Sequence, residues 1–195
     1  MPKVSDEYRA SRRAHILAAA RRCFVRDGFH GTSMQDLVNE AGISSGAVYR
    51  YFPSKDAVIE AIAAENLEQV VSVIRQSVED GLPAEAAIAA VLEFVTERHA
   101  QDGFAAIALL VWTEALRNPA LAELLRNANA AAGQLLSSGR AKSRSRGPAV
   151  NDVLLCVLPG YLMQLALGGQ ASVDRVPHTV KGISADPPVG ARRRP

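Results

Sequence analysis

The five residues Gly42-Ile43-Ser44-Ser45-Gly46 fit G-x-S-x-G, the sharp turn that presents the nucleophilic serine of many hydrolases. Acyl transfer at Ser44 would need a histidine base near its hydroxyl and a strand leading into the turn. The longer stretch "EAGISSGAVYRYFPSK", residues 40–55, offers a second chemistry. Small side chains at Ser44, Ser45, Gly46 and Ala47 would let one end of a helix approach phosphates and base edges, while Tyr49, Arg50 and Lys55 add donors and cations. Elsewhere the material for chemistry is thin. The histidines, His15, His30, His99 and His178, include no obvious base partner. Glu114, near Trp112, is the only candidate for a convergent polar site, and a pairing with Arg117 at i+3 or exposure to solvent accounts for it better. Cys23 and Cys156 lie far apart in apolar helical patterns and read as two buried thiols in a reduced cytoplasm. They make neither a zinc ligand set nor a redox pair, and no metal or cofactor is expected.

Between these chemistries the surrounding elements decide. Apolar residues Ile16, Leu17, Ala20 and Phe24 recur at helical spacing from about Ser11, and Asp27-Gly28 stops that helix. Ser33-Met34-Gln35-Asp36 is a capping-box pattern opening a short second helix that ends at Gly42. Ser44 can cap a third helix to about Tyr51, and Ser54 a fourth, which runs to about Asp80. Gly81-Leu82-Pro83 breaks that helix, with Pro83 suited to the first turn of a fifth, to about Ala100. A sixth spans Phe104 to Arg117, a seventh opens at Asn118-Pro119, an eighth covers Ala149 to Leu167 and a ninth starts near Val173. No run alternates as a strand, so the fold class is all-α. A nucleophile elbow has no sheet to stand on here, which removes the hydrolase.

What remains is helix, tight turn, helix: residues 33–41, 42–43 and 44–51. In a helix-turn-helix the second helix enters the major groove with its N-terminus leading, where free amides favour phosphate. Charge agrees with this division of labour. Residues 1–55 hold nine Lys/Arg against five Asp/Glu, residues 56–139 four against twelve, and residues 140–195 nine against three. There is no apolar run after a basic start, and no stretch approaches the roughly 18 apolar residues of a membrane span.

The segment "GFHGTSMQDLVNEAGISSGAVYRYFPSKDAVIEAI" resembles the DNA-binding segment of the TetR family of transcriptional repressors. The likeness joins a Gly-Phe helix exit, the Thr-Ser cap, Asp36, the Ala-Gly-Ile-Ser turn, Gly46, the Tyr-x-Tyr-Phe run and the Ser-Lys opening of helix 4. It covers residues from about 11 to 62. The resemblance implies phosphate contacts at Thr32, Ser44, Tyr49 and Lys55, and a base-reading face of Ser45, Gly46, Ala47 and Arg50. Many family members carry Lys or Arg where this chain has Ser45, so one groove-facing cation is missing. It also implies a DNA-binding domain over residues 1–53, a helical effector-binding and dimerisation domain over 54–184, and a cytoplasmic homodimer. Its partners would be a roughly palindromic double-stranded DNA operator and a small effector.

The residues of the body support such a reading on their own. Helices 5 to 8 carry more apolar surface than a small reading head could cover. A cavity lined by Phe94, Phe104, Leu109, Trp112, Tyr161 and Met163 would suit a largely apolar effector, with Trp112 and Tyr161 favoured for their polar handles. Val150, Val153, Leu154, Val157, Leu158, Tyr161, Leu162 and Leu165 form a face too wide for one neighbour and are expected, with helix 9, to make the dimer. Pro159-Gly160 should kink the eighth helix, either to wrap the core or to free the Leu155 carbonyl toward the cavity beside Tyr161. The basic segment 140–146 reads as a solvated linker, and residues 185–195 as a disordered tail. The competing function is an all-helical ligand-binding or enzymatic protein that does not bind DNA.

Overall fold

The computed structural model describes residues 6–138 and 148–182, with side chains for all of these except 148–155. The basic segment 140–146 and the tail 185–195 lie outside the described residues. Every element among the described residues is helical. A three-helix head is formed by α1 (Asp6–Gly31), α2 (Met34–Ala41) and α3 (Ser45–Tyr51). The long α4 (Lys55–Glu79) leads into a body of α5 (Ala84–Asp102), α6 (Phe104–Ala115), α7 (Pro119–Ser138), α8 (Pro148–Gly168) and α9 (Val176–Gly182), the last two separated by a 3-10 turn at Gln170–Ser172.

Cap chemistry sets most of these boundaries. The Ser33 hydroxyl accepts from the Asp36 amide at 3.2 Å, and the Asp36 carboxylate accepts from the Ser33 amide at 2.8 Å, so the capping box is complete. Gly42 ends α2 in the left-handed region at φ 63°, a conformation that costs a side-chain-bearing residue and that glycine adopts freely. Ser54 caps α4 by accepting from the Ala57 amide at 3.1 Å, and Asn118 caps α7 through bonds from the Ala120 and Leu121 amides. Two boundaries differ from expectation. α1 begins at Asp6, a full turn before Ser11, while its helical backbone is interrupted at Gly28 as expected, with φ 71° and ψ 175°, before a last short turn to Gly31. Pro83 stands at the cap position before α5 rather than in its first turn.

Two apolar cores are stacked along α4. The head core gathers Ile16, Leu17, Phe24 and Phe29 of α1 with Leu37, Val48 and Phe52, and takes Val58, Ile59 and Ile62 from the start of α4. Phe24 and Phe29 meet edge to face at 4.8 Å. This core also buries Ile107 and Val111 of α6 and Leu121 of α7, so the head is fastened to the body by packed side chains. At about 1.5–3 kcal/mol for each fully buried large aliphatic group, those three anchors contribute several kcal/mol to holding the reading head in place. The α5–α6 corner adds a close approach. Gly103 lies so near α1 that a Cβ there would meet Val25 Cγ2 at 2.5 Å. The second core packs Ile74 of α4, Ile88, Leu92 and Val95 of α5, Phe104 and Leu136 with Tyr161, Leu162 and Leu165 of α8.

α8 runs through Pro159 as one continuous helical segment. Part of the face expected to make the dimer lies inside the body. Tyr161, Leu162 and Leu165 are buried inside the body, and Leu158 packs against the same core, so these residues do not form a free dimer face. Val150, Val153 and Leu154 have no described side chains. The thiols divide as well: Cys23 is buried, but Cys156 is exposed, because it sits on the outer side of α8.

Candidate nucleic-acid interface and body cavity

α3 presents one side to the core and the other to solvent. Val48 is buried, with Phe52 just beyond the helix end, while Ser45, Gly46, Tyr49 and Arg50 are exposed and Ala47 is half-buried. Ser44 caps the helix by accepting from the Ala47 amide at 3.3 Å, which leaves its hydroxyl proton available to an outside acceptor. A Cβ on Gly46 would meet nothing within 4 Å, so no contact inside the protein asks for glycine there. Arg50 lies with its guanidinium 5.5 Å from the centre of the Tyr51 ring. Ser44 leads into a helix in a chain with no strand among the described residues, so its turn lacks the support of a hydrolase nucleophile.

Thr32 and Lys55 are engaged within the protein itself. Thr32 is buried, and its hydroxyl donates to the Gly28 carbonyl at 2.8 Å, closing the kink of α1. The Lys55 ammonium donates to the Phe29 carbonyl at 2.6 Å and to the Thr32 carbonyl at 2.8 Å, tying the start of α4 to the α1–α2 corner. Sequence reasoning missed both roles. It also missed the flank that the start of α1 supplies. Arg12 donates to the Tyr8 hydroxyl at 2.9 Å and lies 5.4 Å from its ring centre. Arg12, and more weakly Arg50, hold the Tyr8 hydroxyl below its ordinary pKa. The run Arg9, Arg12, Arg13 was the available signal.

Where head meets body, a polar cluster adds to the apolar packing. Buried Arg21 donates to Asn66 Oδ1 at 2.8 Å and reaches Glu65 at 3.4 Å, joining α1 to α4. Burial pushes the Arg21 guanidinium down from its ordinary pKa, and Asp102 and Glu65 oppose that shift. Arg98 of α5 donates to Gln69 of α4 at 2.6 Å and pairs with Asp102. Glu114 meets His30 of α1 at 3.2 Å, not Arg117, and so takes part in the head–body contact. Among the described residues no group of three or more metal-type side chains is found, and no helix is long and apolar enough to cross a membrane.

Between α4, α5, α6, α7 and α8 lies a cavity of about 210 Å³. Its walls are aliphatic: Val70, Val71 and Ile74 of α4 face Ile88, Val91 and Leu92 of α5, with Leu158 and Leu162 of α8. Phe104 and Trp112 line it as expected, but Phe94, Leu109, Tyr161 and Met163 do not. Tyr161 is turned the other way, its hydroxyl sharing a 2.6 Å hydrogen bond with Thr96. Met163 stands half exposed on the outside of α8. Pro159 does reach the cavity wall, without Tyr161 beside it. Among the described lining residues two amides, Asn66 and Asn129, join Trp112 as polar groups, and none has an ionisable side chain.

Residues 16–62 match the model of the family described as bacterial regulatory proteins, tetR family. Over 176 residues the chain is 33% identical to the HTH-type transcriptional repressor Rv1474c of Mycobacterium tuberculosis, spanning 86% of this chain and 89% of that one. It is 26% identical over 162 residues to the HTH-type transcriptional regulator UidR of Escherichia coli, 83% of this chain and 81% of that one. Among solved structures, Salmonella enterica GusR is similar with a TM-score of 0.72 and 26% identity, covering 92% of this chain and 95% of that chain.

Proposed function

We propose, from the premise that this chain belongs to the TetR family of bacterial transcriptional regulators, that it is a cytoplasmic homodimeric repressor released from its operator by a small, largely apolar effector. The observation that carries the DNA-reading part is the solvent face of α3, where Ser45, Gly46, Tyr49 and Arg50 project together from a helix whose opposite side is locked into the head core. The start of α1 with Arg9 and Arg12 forms a basic flank suited to phosphates. Two heads held about 34–36 Å apart by a dimer would read two half-sites one helical turn apart.

The dimer is proposed to form on the outer side of α8. Cys156, Gly160, Met163 and Leu167 are all exposed and recur at i, i+4, i+7 and i+11. From Cys156 to Gly168 the helix carries no charged residue, which is unusual for a surface left in water. The effector is proposed to occupy the aliphatic cavity, whose α4 wall leads directly to the head. A coupling of about 1–3 kcal/mol between cavity and head would change operator affinity roughly 5–150-fold.

Selection of DNA from a random pool by the purified protein tests the regulator reading. The recovered sequences are expected to contain a two-fold symmetric site; a pool with no enriched motif at moderate salt overturns it. Within that site, Arg50→Ala is expected to relax preference at individual base pairs by about 1–3 kcal/mol each while leaving non-specific binding nearly unchanged. Equal losses on every sequence would instead make Arg50 a phosphate contact.

A further inference from the structure

We propose that Asn66 selects the ligand of the body cavity, and that this ligand is an uncharged, largely apolar molecule carrying one hydrogen-bond acceptor oxygen next to the Asn66 amide nitrogen. The inference rests on the effector reading above and makes its chemistry specific. Asn66 is only 5% exposed and belongs to the cavity wall. Its carboxamide offers one acceptor and two donors. Arg21 can only donate, so its 2.8 Å bond fixes the amide oxygen toward α1 and turns the nitrogen away from it. That nitrogen is buried and has no hydrogen-bond partner. Buried donors are nearly always satisfied, so an unmade bond on a residue of the cavity wall marks a donor that a ligand oxygen can complete.

The rest of the wall narrows what that ligand is. Among the described lining residues no side chain is ionisable, and a carboxylate or an amine would find no counter-charge there. Nor can Arg21 serve an anion, because its guanidinium is directed at Asn66 and Glu65. A ketone, ester or ether oxygen on an apolar frame meets both conditions.

The probes are butyrophenone and butylbenzene, alike in shape and differing in one carbonyl. Both are titrated into the full-length protein, with the emission of Trp112, its only tryptophan and a cavity-lining residue, reporting the midpoints. The variant is Asn66→Asp, which keeps an oxygen for Arg21 but replaces the donor nitrogen by a second acceptor. The ratio of ketone to hydrocarbon dissociation constants is expected to rise about tenfold from wild type to variant, the factor carried by one neutral hydrogen bond. A ratio that does not move overturns the assignment. Should the variant fail to fold, the carbonyl stretch of butyrophenone bound to the wild type decides. A shift to lower frequency than in an alkane solvent supports the Asn66 bond, and an alkane-like position overturns it. Failure of wild type to bind either probe also overturns the proposal. Operator binding by the unliganded protein is measured in parallel, so loss of the cavity ligand and loss of the regulator reading give different results.

Discussion

Replacing Met163 and Leu167 together by glutamate will give a folded monomer that has lost most of its operator affinity. Both side chains are exposed, Met163 by 50% and Leu167 by 80%, so the charges enter no core of the single chain. In a two-fold dimer built on the outer side of α8 they would place four carboxylates in one interface, each desolvated and without a partner. The penalty for one such buried charge is several kcal/mol, which is enough to dissolve an interface of ordinary strength. Two linked heads gain their operator affinity through effective concentration, so the monomer is expected to bind about 10²–10⁴-fold more weakly than the dimer. Binding to an isolated half-site should be nearly unchanged. Equilibrium sedimentation and a gel shift at matched salt check the pair of effects. A variant that remains dimeric, or a wild type that is monomeric at tens of micromolar, places the interface elsewhere.

That this face differs from the one expected shows where sequence ceases to be legible. The head was readable because its boundaries are set by local chemistry. Ser33, Ser44 and Ser54 cap the three successive helices, and Gly42 terminates α2, each through bonds that span no more than four residues. α8 offers no such signal. Its residues from Cys156 to Gly168 are nearly all apolar, so periodicity cannot tell the side that meets α5 and α6 from the side left open. The wide apolar face containing Tyr161, Leu162 and Leu165 therefore looked like the interface, and the structure turns it inward. The cavity failed for a related reason. Aromatics with polar handles drew attention, yet the void is bounded mainly by aliphatic residues of α4 and α5, whose shape emerges only when five helices are packed. Periodicity also missed the first turn of α1, since Asp6 to Ala10 are all exposed and leave no apolar stripe to detect. What Lys55 does was beyond reach too, because its two acceptors lie 23 and 26 residues away in the chain.

Lys55 is placed to act both as a tether within the head and as a cation for the operator. Its ammonium has three donors, and two are committed to the Phe29 and Thr32 carbonyls. One remains for a phosphate, so the side chain can tether the α1–α2 corner and touch the operator with the same charge. Lys55→Met removes both functions while keeping much of the aliphatic stem. The tether predicts a loss of roughly 1.5–3 kcal/mol in stability, since hydrogen bonds to a charged donor lie in that range and two carbonyls lose theirs together. It also predicts faster amide exchange around Thr32 and Ser33, where the corner leads into the capping box. The phosphate contact predicts something separate: weaker binding to every DNA sequence alike, with the log-log salt slope shallower by about one unit. Thermal unfolding reads the first effect and operator titration at several salt concentrations reads the second. An unchanged unfolding midpoint would deny the tether, and an unchanged slope would leave Lys55 a positioning residue that never meets the DNA. The combined loss should exceed that of Arg50→Ala on non-specific DNA, because Lys55 supports the geometry of the whole head whereas Arg50 extends from its surface.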